Sequence, residues 1–266
     1  MTDMTLNDGR AMPRLGLGTY QVHDSEVGGI VRRGLDLGYR LIDTAALYHN
    51  ERGVGDGLRN AEAFVTTKLW NDRHADAEAA LDESLALLGL DAVDLYLIHW
   101  PAPATGDHVA AWKTLVALRE KGKTRSIGVS NFLPEHLDRV VEATGVTPAV
   151  NQIELHPRWQ QRALRAYHDA HGIVTQSWSP LGQGGALLKD ETIVRIAGKH
   201  GRSAAQVVLA WHLAHGLSVI PKAADPEHLS DNYASLDLTL DDEDLAAIDA
   251  MDSAEGRIGP DPLRFG

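Results

Sequence analysis

Apolar positions along the chain follow two alternating periods. Short β-rich runs occur at Leu15–Thr19, Leu41–Thr44, Ala63–Lys68, Val93–His99, Ser126–Ser130, Ala149–Glu154, Val174–Trp178 and Ser218–Pro221. Between them, apolar residues recur at i, i+3 and i+4, the spacing of one buried helix face. These helical segments are Ser25–Leu37, Asp76–Leu88, Val109–Lys121, Pro134–Thr144, Arg162–His171 and Glu191–His200, with another after Ser203. In Asp76–Leu88 the stripe is Ala77, Ala80, Leu81, Ser84, Leu85 and Leu88. Glu51–Arg59 carries three glycines, which weaken its helical pattern.

Strands that alternate with helices pair in parallel through right-handed crossovers. Eight such units within 266 residues predict an α/β fold, a (β/α)8 TIM barrel, rather than an open doubly wound sheet. No Pro, Gly or Ser-rich linker and no internal repeat divides the alternation, so residues 1–266 read as a single domain. Ahead of the first strand, Met4–Leu6 and Ala11–Pro13 flank Asn7-Asp8-Gly9. That is a β-hairpin signal, and the hairpin would cap the bottom of the barrel. Gly16-Leu17-Gly18 begins like a dinucleotide fingerprint but lacks the third glycine, and Gly53, Gly55 and Gly57 fail its spacing. No phosphate-binding P-loop is present.

Composition narrows the function. The 25 Lys plus Arg stand against 37 Asp plus Glu, a formal charge of −12 with no basic block, which argues against a nucleic-acid partner. With no cysteine, disulfides, thiolate metal sites and a thiol nucleophile are excluded. Met1 to Arg10 is polar and acidic, unlike a signal peptide, and no apolar run approaches the length of a membrane span. A cytoplasmic monomer without membrane contact is the expectation.

In a (β/α)8 barrel the chemistry sits at the C-terminal ends of the strands. Those ends read Thr19-Tyr20, Asp43, Lys68, His99, Ser130-Asn131, Gln152 with Glu154, Trp178-Ser179 and Lys222. A lysine after Val65-Thr66-Thr67 and a histidine after Leu95-Tyr96-Leu97-Ile98 are costly at the mouth of a core unless paired or used. Asp43, Tyr48, Lys68 and His99 would converge there. Lys68 would lower the pKa of the Tyr48 phenol, Asp43 would hold the ammonium charged, and a neutral His99 would orient a carbonyl. Such a site has an acid and an electrostatic clamp but no nucleophile. It suits carbonyl reduction with hydride from a cofactor. Trp70 and Trp100 follow catalytic strand residues and, with Tyr20 and His49, would wall a substrate pocket.

Several of these stretches resemble the signatures of the aldo-keto reductases. They are Leu41-Ile42-Asp43-Thr44-Ala45 leading to Tyr48, Val65-Thr66-Thr67-Lys68-Leu69-Trp70 and Leu95-Tyr96-Leu97-Ile98-His99-Trp100-Pro101. Ser126 to Phe132, Asn151 to Pro157 and Val219-Ile220-Pro221-Lys222 extend the resemblance, which runs from about Leu15 to Met251. Gln176 to Gly184 is most similar to the bacterial diketogluconate reductase type. The resemblance implies a catalytic tetrad of Asp43, Tyr48, Lys68 and His99, with Tyr48 as general acid. It implies that Ser130, Asn131 and Gln152 hold a nicotinamide carboxamide and that Trp178 stacks on the ring. Ser179, Leu181, Gly182 and Gln183 fall at the pyrophosphate loop, and Lys222, His228 and Asn232 at further cofactor positions. The cofactor implied is NADPH/NADP+, with a small carbonyl compound as substrate, possible keto sugars and dicarbonyls included, and no metal.

Two departures from the family pattern stand out. Ala223 and His228 replace a Ser and an Arg that usually grip the 2′-phosphate, so NADPH preference should be relaxed and NADH also used. From Arg59 to Phe64 the chain is several residues short, which predicts a tighter turn at the barrel bottom. Plainer readings hold elsewhere: His212 as a core histidine, His156 as a loop residue, Asp241 to Asp244 as a helix start. Arg257 to Gly266 is either part of the pocket or mobile. Alternative functions are a class I aldolase using Lys68 as a Schiff base, a metal-dependent hydrolase, or a non-enzymatic nicotinamide-binding sensor. An adjacent Asp43, by raising the Lys68 pKa, argues against the first, and the lack of a His-x-His pair after the first strand argues against the second.

Overall fold

The computed structural model describes residues 3–59, 61–104 and 107–266. Of the N-terminal segment read above, Met1 and Thr2 lie outside these residues.

The chain starts with a two-stranded antiparallel hairpin, β1 (Met4–Thr5) and β2 (Ala11–Met12), turning through Gly9 at φ +85°. Eight parallel strands follow: β3 (Leu17–Gly18), β4 (Leu41–Asp43), β5 (Phe64–Leu69), β6 (Val93–Ile98), β7 (Thr124–Ser130), β8 (Val150–Glu154), β9 (Val174–Trp178) and β10 (Ser218–Val219). Each pairs with the next in sequence. Bridges between Leu15 and Val219 and between Gly18 and Lys222 join the last strand to the first, so the sheet closes into the expected barrel. The glycines of the failed dinucleotide fingerprint belong to this seam: a Cβ on Gly18 would lie 2.8 Å from the Ile220 carbonyl oxygen. They serve closure rather than a phosphate.

The helices are α1 (Asp24–Leu37), α2 (Glu51–Leu58), α3 (Ala77–Leu88), α4 (His108–Glu120), α5 (Pro134–Thr144), α6 (Arg162–His171), α7 (Glu191–His200), α8 (Ala204–Ala214), α9 (Pro226–Tyr233) and α10 (Asp242–Asp249). Carboxylates of Asp107, Asp190, Asp225 and Asp241 cap four N-termini, and Ser203 with Gln206 forms a capping box on α8. The residues buried on α3 are the six of the predicted stripe. The glycines that weakened the α2 pattern have a packing role. A Cβ on Gly53 would sit 2.1 Å from the Asp24 carbonyl oxygen, so α1 and α2 cross at backbone contact. After α2, the short connection closes with the Ala61 N–H donating to Leu58 O at 2.8 Å; Asn60 lies outside the described residues.

Side chains alternate strictly in and out of the barrel. Leu41, Leu95, Leu97, Val150 and Ile220 point inward and pack on Leu6 and Met12 of the hairpin segment, which plugs the bottom. The outward set packs under the helices, for example Val65, Leu69, Tyr96, Ile98, Ile127 and Val129. Two residues farther along the inward rows come Asp43, Lys68, His99, Ser130, Gln152, Trp178 and Lys222. One period-2 register therefore carries both the apolar floor and the polar mouth.

Candidate active site

At the mouth, Lys68 is fully enclosed and Asp43 nearly so. Lys68 Nζ donates to Asp43 Oδ1 at 2.6 Å, to the Thr44 carbonyl at 2.9 Å and to the Tyr48 hydroxyl at 3.5 Å. Asp43 Oδ2 accepts from Gln152 Nε2 at 2.8 Å. Tyr48 sits on a short 3-10 turn, Ala46–Tyr48, after β4, half-buried between Tyr20 (ring centroids 5.0 Å apart) and His99 (5.8 Å, edge-on). Trp70 meets His99 at 5.1 Å. The four residues expected to converge do so.

Their electrostatics differ from the expectation in one respect. Burial raises the Tyr48 phenol well above its ordinary value, and the Asp43 carboxylate adds to the rise. Lys68 spends its shortest bond on Asp43 and its longest on the phenol, and burial together with the Asp43 charge outweighs it, so the predicted lowering of the Tyr48 pKa does not hold. Burial likewise lowers the Lys68 ammonium despite Asp43, and raises the Asp43 carboxyl despite Lys68. The argument against an aldolase from a raised Lys68 pKa therefore fails. Geometry replaces it, because the enclosed Nζ with three acceptors around it offers no approach for a carbonyl carbon. His99 is driven far below the ordinary imidazole value by burial and then by Lys68, so it is neutral at physiological pH, as predicted.

A second cluster adjoins the first. Asn131 Nδ2 donates to the His99 carbonyl and to Ser130 Oγ, each at 3.0 Å, and Asn131 Oδ1 accepts from Trp178 Nε1 at 2.8 Å. Ser130 Oγ donates to the Gln152 carbonyl at 2.8 Å, and Gln152 Nε2 also donates to Gln176 Oε1 at 2.7 Å. The donors of Ser130, Asn131 and Gln152 are thus spent within the protein, and lone pairs on their oxygens remain. Beside the half-exposed Trp178 indole, this set fits a flat ring carrying a primary amide, whose N–H groups need acceptors.

The remaining predicted positions are dispersed. Lys222 and His228 are exposed, Asn232 is buried, and Lys222 reaches the mouth by its bridge to Gly18. Asp225 caps α9 through the Glu227 N–H, which places a carboxylate between Lys222 and His228 in the chain. Ser179 (φ +47°) and Gln183 (φ +58°) adopt left-handed backbone, and Leu181 packs on the core between them. Trp100 is buried against Trp178 and Phe265, whereas His49 is exposed at φ +53° with no ring contact to the other wall residues. His212 bonds the Val208 and Leu155 carbonyls, a structural role as read above. His156 pairs with Glu154, and Asp241 to Asp244 open α10. Among the described residues no group of three or more His, Asp or Glu is placed to hold a metal, and no helix is long and apolar enough to cross a membrane.

Sequence reasoning gave Gln176 no role, placed Glu154 at a strand end without assigning it one, and reached Phe265 only as part of a tail that would line the pocket or be mobile. Gln176 and Glu154 share the inward register of the predicted site residues, a signal that was legible. Nothing singled out Phe265 within the tail. Backbone strain points to the same face: the non-glycine residues with positive φ, Gln21, His49, Ala102, Asn131, Gln161, Ser179 and Gln183, all lie in loops after strand C-termini.

Comparison with known proteins agrees with this geometry. Residues 14–253 match the Aldo/keto reductase family. Methylglyoxal reductase DkgA of Escherichia coli is 49% identical over 271 residues, spanning 100% of this chain and 98% of its own. An aldo-keto reductase of a Mycobacterium species is 45% identical over 269 residues, 98% of this chain and 97% of its own. The solved apo form of Gox0644 superposes with a TM-score of 0.95 at 51% identity, covering 98% of this chain and 97% of that one. An aspartate-to-alanine variant of Gox0644 in complex with NADPH superposes at 0.97 and 50% identity, covering 100% and 98%.

Proposed function

The chain belongs to the aldo/keto reductase family, and from that membership and the site geometry we propose that it reduces small carbonyl compounds, α-dicarbonyls such as methylglyoxal foremost, with NADPH. The observation that carries the reading is the buried sequence of contacts Asp43–Lys68–Tyr48 with a neutral His99 edge-on to the phenol.

When bound, NADPH supplies the hydride. The chain's own residues handle the charge that this creates on the carbonyl oxygen. Tyr48 stays protonated at rest, because burial raises its pKa, and gives its proton to the forming alkoxide. The neutral imidazole of His99 donates a hydrogen bond to the same oxygen. Lys68 stands beside the phenolate left behind, and Asp43, steadied by Gln152, keeps the ammonium in place. Hydride and proton together convert the carbonyl to an alcohol. Ser130, Asn131 and Gln152 would hold the carboxamide edge of the ring and Trp178 one of its faces, with Tyr20, Trp70 and Trp100 enclosing the substrate.

The pyrophosphate would lie along Ser179 to Gln183, and Lys222, His228 and Asn232 would serve the remainder of the cofactor. Ala223 and the carboxylate of Asp225 leave Lys222 with little help toward a 2′-phosphate, so the preference for NADPH over NADH is modest. The same reading has residues 1–266 act as one domain in the cytoplasm and as a monomer, the last of which light scattering on the purified chain tests.

The decisive experiment follows NADPH consumption with methylglyoxal for the wild type and Tyr48→Phe. Loss of at least about a hundredfold in kcat, with NADPH binding retained, is expected from removal of a general acid. Intact activity in Tyr48→Phe would end the assignment.

A further inference from the structure

We propose that Glu154 is a positioning residue that straps residues 257–266 across the mouth of the barrel, and so sets the width of the carbonyl pocket. The proposal rests on the reductase reading above. Glu154 ends β8, one inward step beyond Gln152, and its side chain is buried. Oε1 accepts from the Ile258 N–H at 2.6 Å and Oε2 from the Gly259 N–H at 2.7 Å, across more than a hundred residues of chain. Oε1 also faces His156 Nε2 at 3.2 Å. No Lys or Arg pairs with it among the described residues. An enclosed carboxylate is costly, and its compensation here is the His156 contact together with the pair of short charge-assisted bonds to the backbone of the strap.

The strap lies directly on the site. A Cβ on Gly259 would fall 2.5 Å from Trp178 Cη2 and 2.8 Å from Glu154 Oε2, so a glycine is needed for the backbone to pass there. Beyond Gly259 the chain turns at Asp261, whose carbonyl accepts the Arg264 and Phe265 N–H groups. That turn delivers the Phe265 ring to 4.6 Å from Trp100 and 6.3 Å from Trp70, the indole that meets His99. Glu154 thus holds the upstream end of a segment whose downstream end packs an aromatic ring on Trp100 and Trp70, the latter in contact with His99. A pocket closed in this way favours compact carbonyl compounds that fit beneath Phe265.

The test uses the full-length wild type and the variants Glu154→Gln, Glu154→Ala, Phe265→Ala and Glu154→Ala/Phe265→Ala. Amide hydrogen exchange is read at Ile258 and Gly259, and steady-state kinetics with NADPH and methylglyoxal. In Glu154→Ala both amides should exchange at least about tenfold faster, with the barrel-strand amides unchanged, as expected for a lost charge-assisted hydrogen bond. KM should rise about tenfold with kcat within about threefold, because the strap acts on substrate binding rather than on the chemical step. Glu154→Gln, which can still accept from one N–H, should fall between. Phe265→Ala should raise KM similarly, and the double variant should be no worse than the poorer single one. Unchanged exchange, unchanged KM in Glu154→Ala, or multiplicative effects in the double variant would each overturn the proposal. A wild type that reduces no carbonyl would defeat the reductase reading instead, and the exchange comparison would still decide whether Glu154 holds the strap.

Discussion

Replacing Lys68 by methionine separates the two jobs that the structure gives this residue. Its ammonium is paired with Asp43 at 2.6 Å with both groups out of water, so Lys68→Met strands a buried carboxylate. Breaking a buried pair from one side costs about 3–5 kcal/mol. At roughly 2–4 °C per kcal/mol for a chain of this size, Tm should fall by about 6–20 °C. The catalytic effect comes from the 3.5 Å separation of Nζ from the Tyr48 hydroxyl. At an effective dielectric constant of ~20, that distance gives about 5 kcal/mol for a full phenolate, and ~2.4 kcal/mol for one half formed in the transition state. Asp43 remains in place, so the variant loses the whole of this term and kcat should fall by about sixty-fold. Adding Asp43→Asn removes the stranded charge. The double variant should regain most of the lost Tm and, because the Asp43 charge no longer opposes the phenolate, only a fraction of the lost kcat. The assays are calorimetry and NADPH consumption at saturating methylglyoxal. A Lys68→Met protein within about 2 °C of wild type, or a double variant whose kcat returns to the wild-type value, would refute the reasoning.

Acid should unfold the protein early. Burial lowers His74, His108, His168 and His212 to about 4 and His99 further, so the unfolded chain binds more protons below about pH 6.5. The stability these imidazoles contribute is full above pH 6.5 and is lost as pH falls toward 4, while Glu51 and Asp94, raised by burial, oppose the trend; a urea midpoint that stays level from pH 7 to pH 4.5 would contradict this. For the cofactor, His228→Arg should raise the kcat/KM ratio of NADPH to NADH by about tenfold, one charge-assisted bond, and an unchanged ratio would remove His228 from the 2′-phosphate site. Gly53→Ala forces a methyl onto the Asp24 carbonyl and should cost about 1–3 kcal/mol in chemical denaturation, with kcat unaffected if α1 and α2 move without disturbing β4.

The strand and helix pattern was legible because the barrel buries one face of every element, so periodicity and burial report the same fact, as the α3 stripe shows. The Lys68 and His99 positions stood out because ionisable groups at the end of apolar strands carry a cost that needs a reason. Other features depend on contacts distant in sequence. Gly53 looked like a helix breaker, and only the approach of Asp24 makes it a packing residue. The direction of the Tyr48 shift depended on where Lys68 spends its hydrogen bonds, which spacing does not encode. Glu154 had the right register, but its partners lie in a Gly/Pro-rich tail without periodicity, and Phe265 acquires meaning only once that tail is folded back.

The apolar floor beneath the site links these findings. Leu41, Leu95, Leu97 and Ile220, packed on Leu6 and Met12, form an apolar floor beneath the Asp43–Lys68 pair. A low-polarity floor strengthens the attraction within the pair and also raises the Tyr48 phenol. The resting acid is therefore weaker than a free tyrosine, and its proton is not lost to water. The acidity needed for catalysis has to arise during the reaction, when the alkoxide takes the proton and the phenolate finds Lys68 already fixed 3.5 Å away by Asp43 and Thr44. A preorganised cation that offsets part of what burial costs the phenolate is the contribution of the tetrad. The ordering of Asp43 by Gln152, and of Gln152 by Gln176, belongs to the same machinery, because a loosened ammonium would lose the field at the moment the phenolate forms.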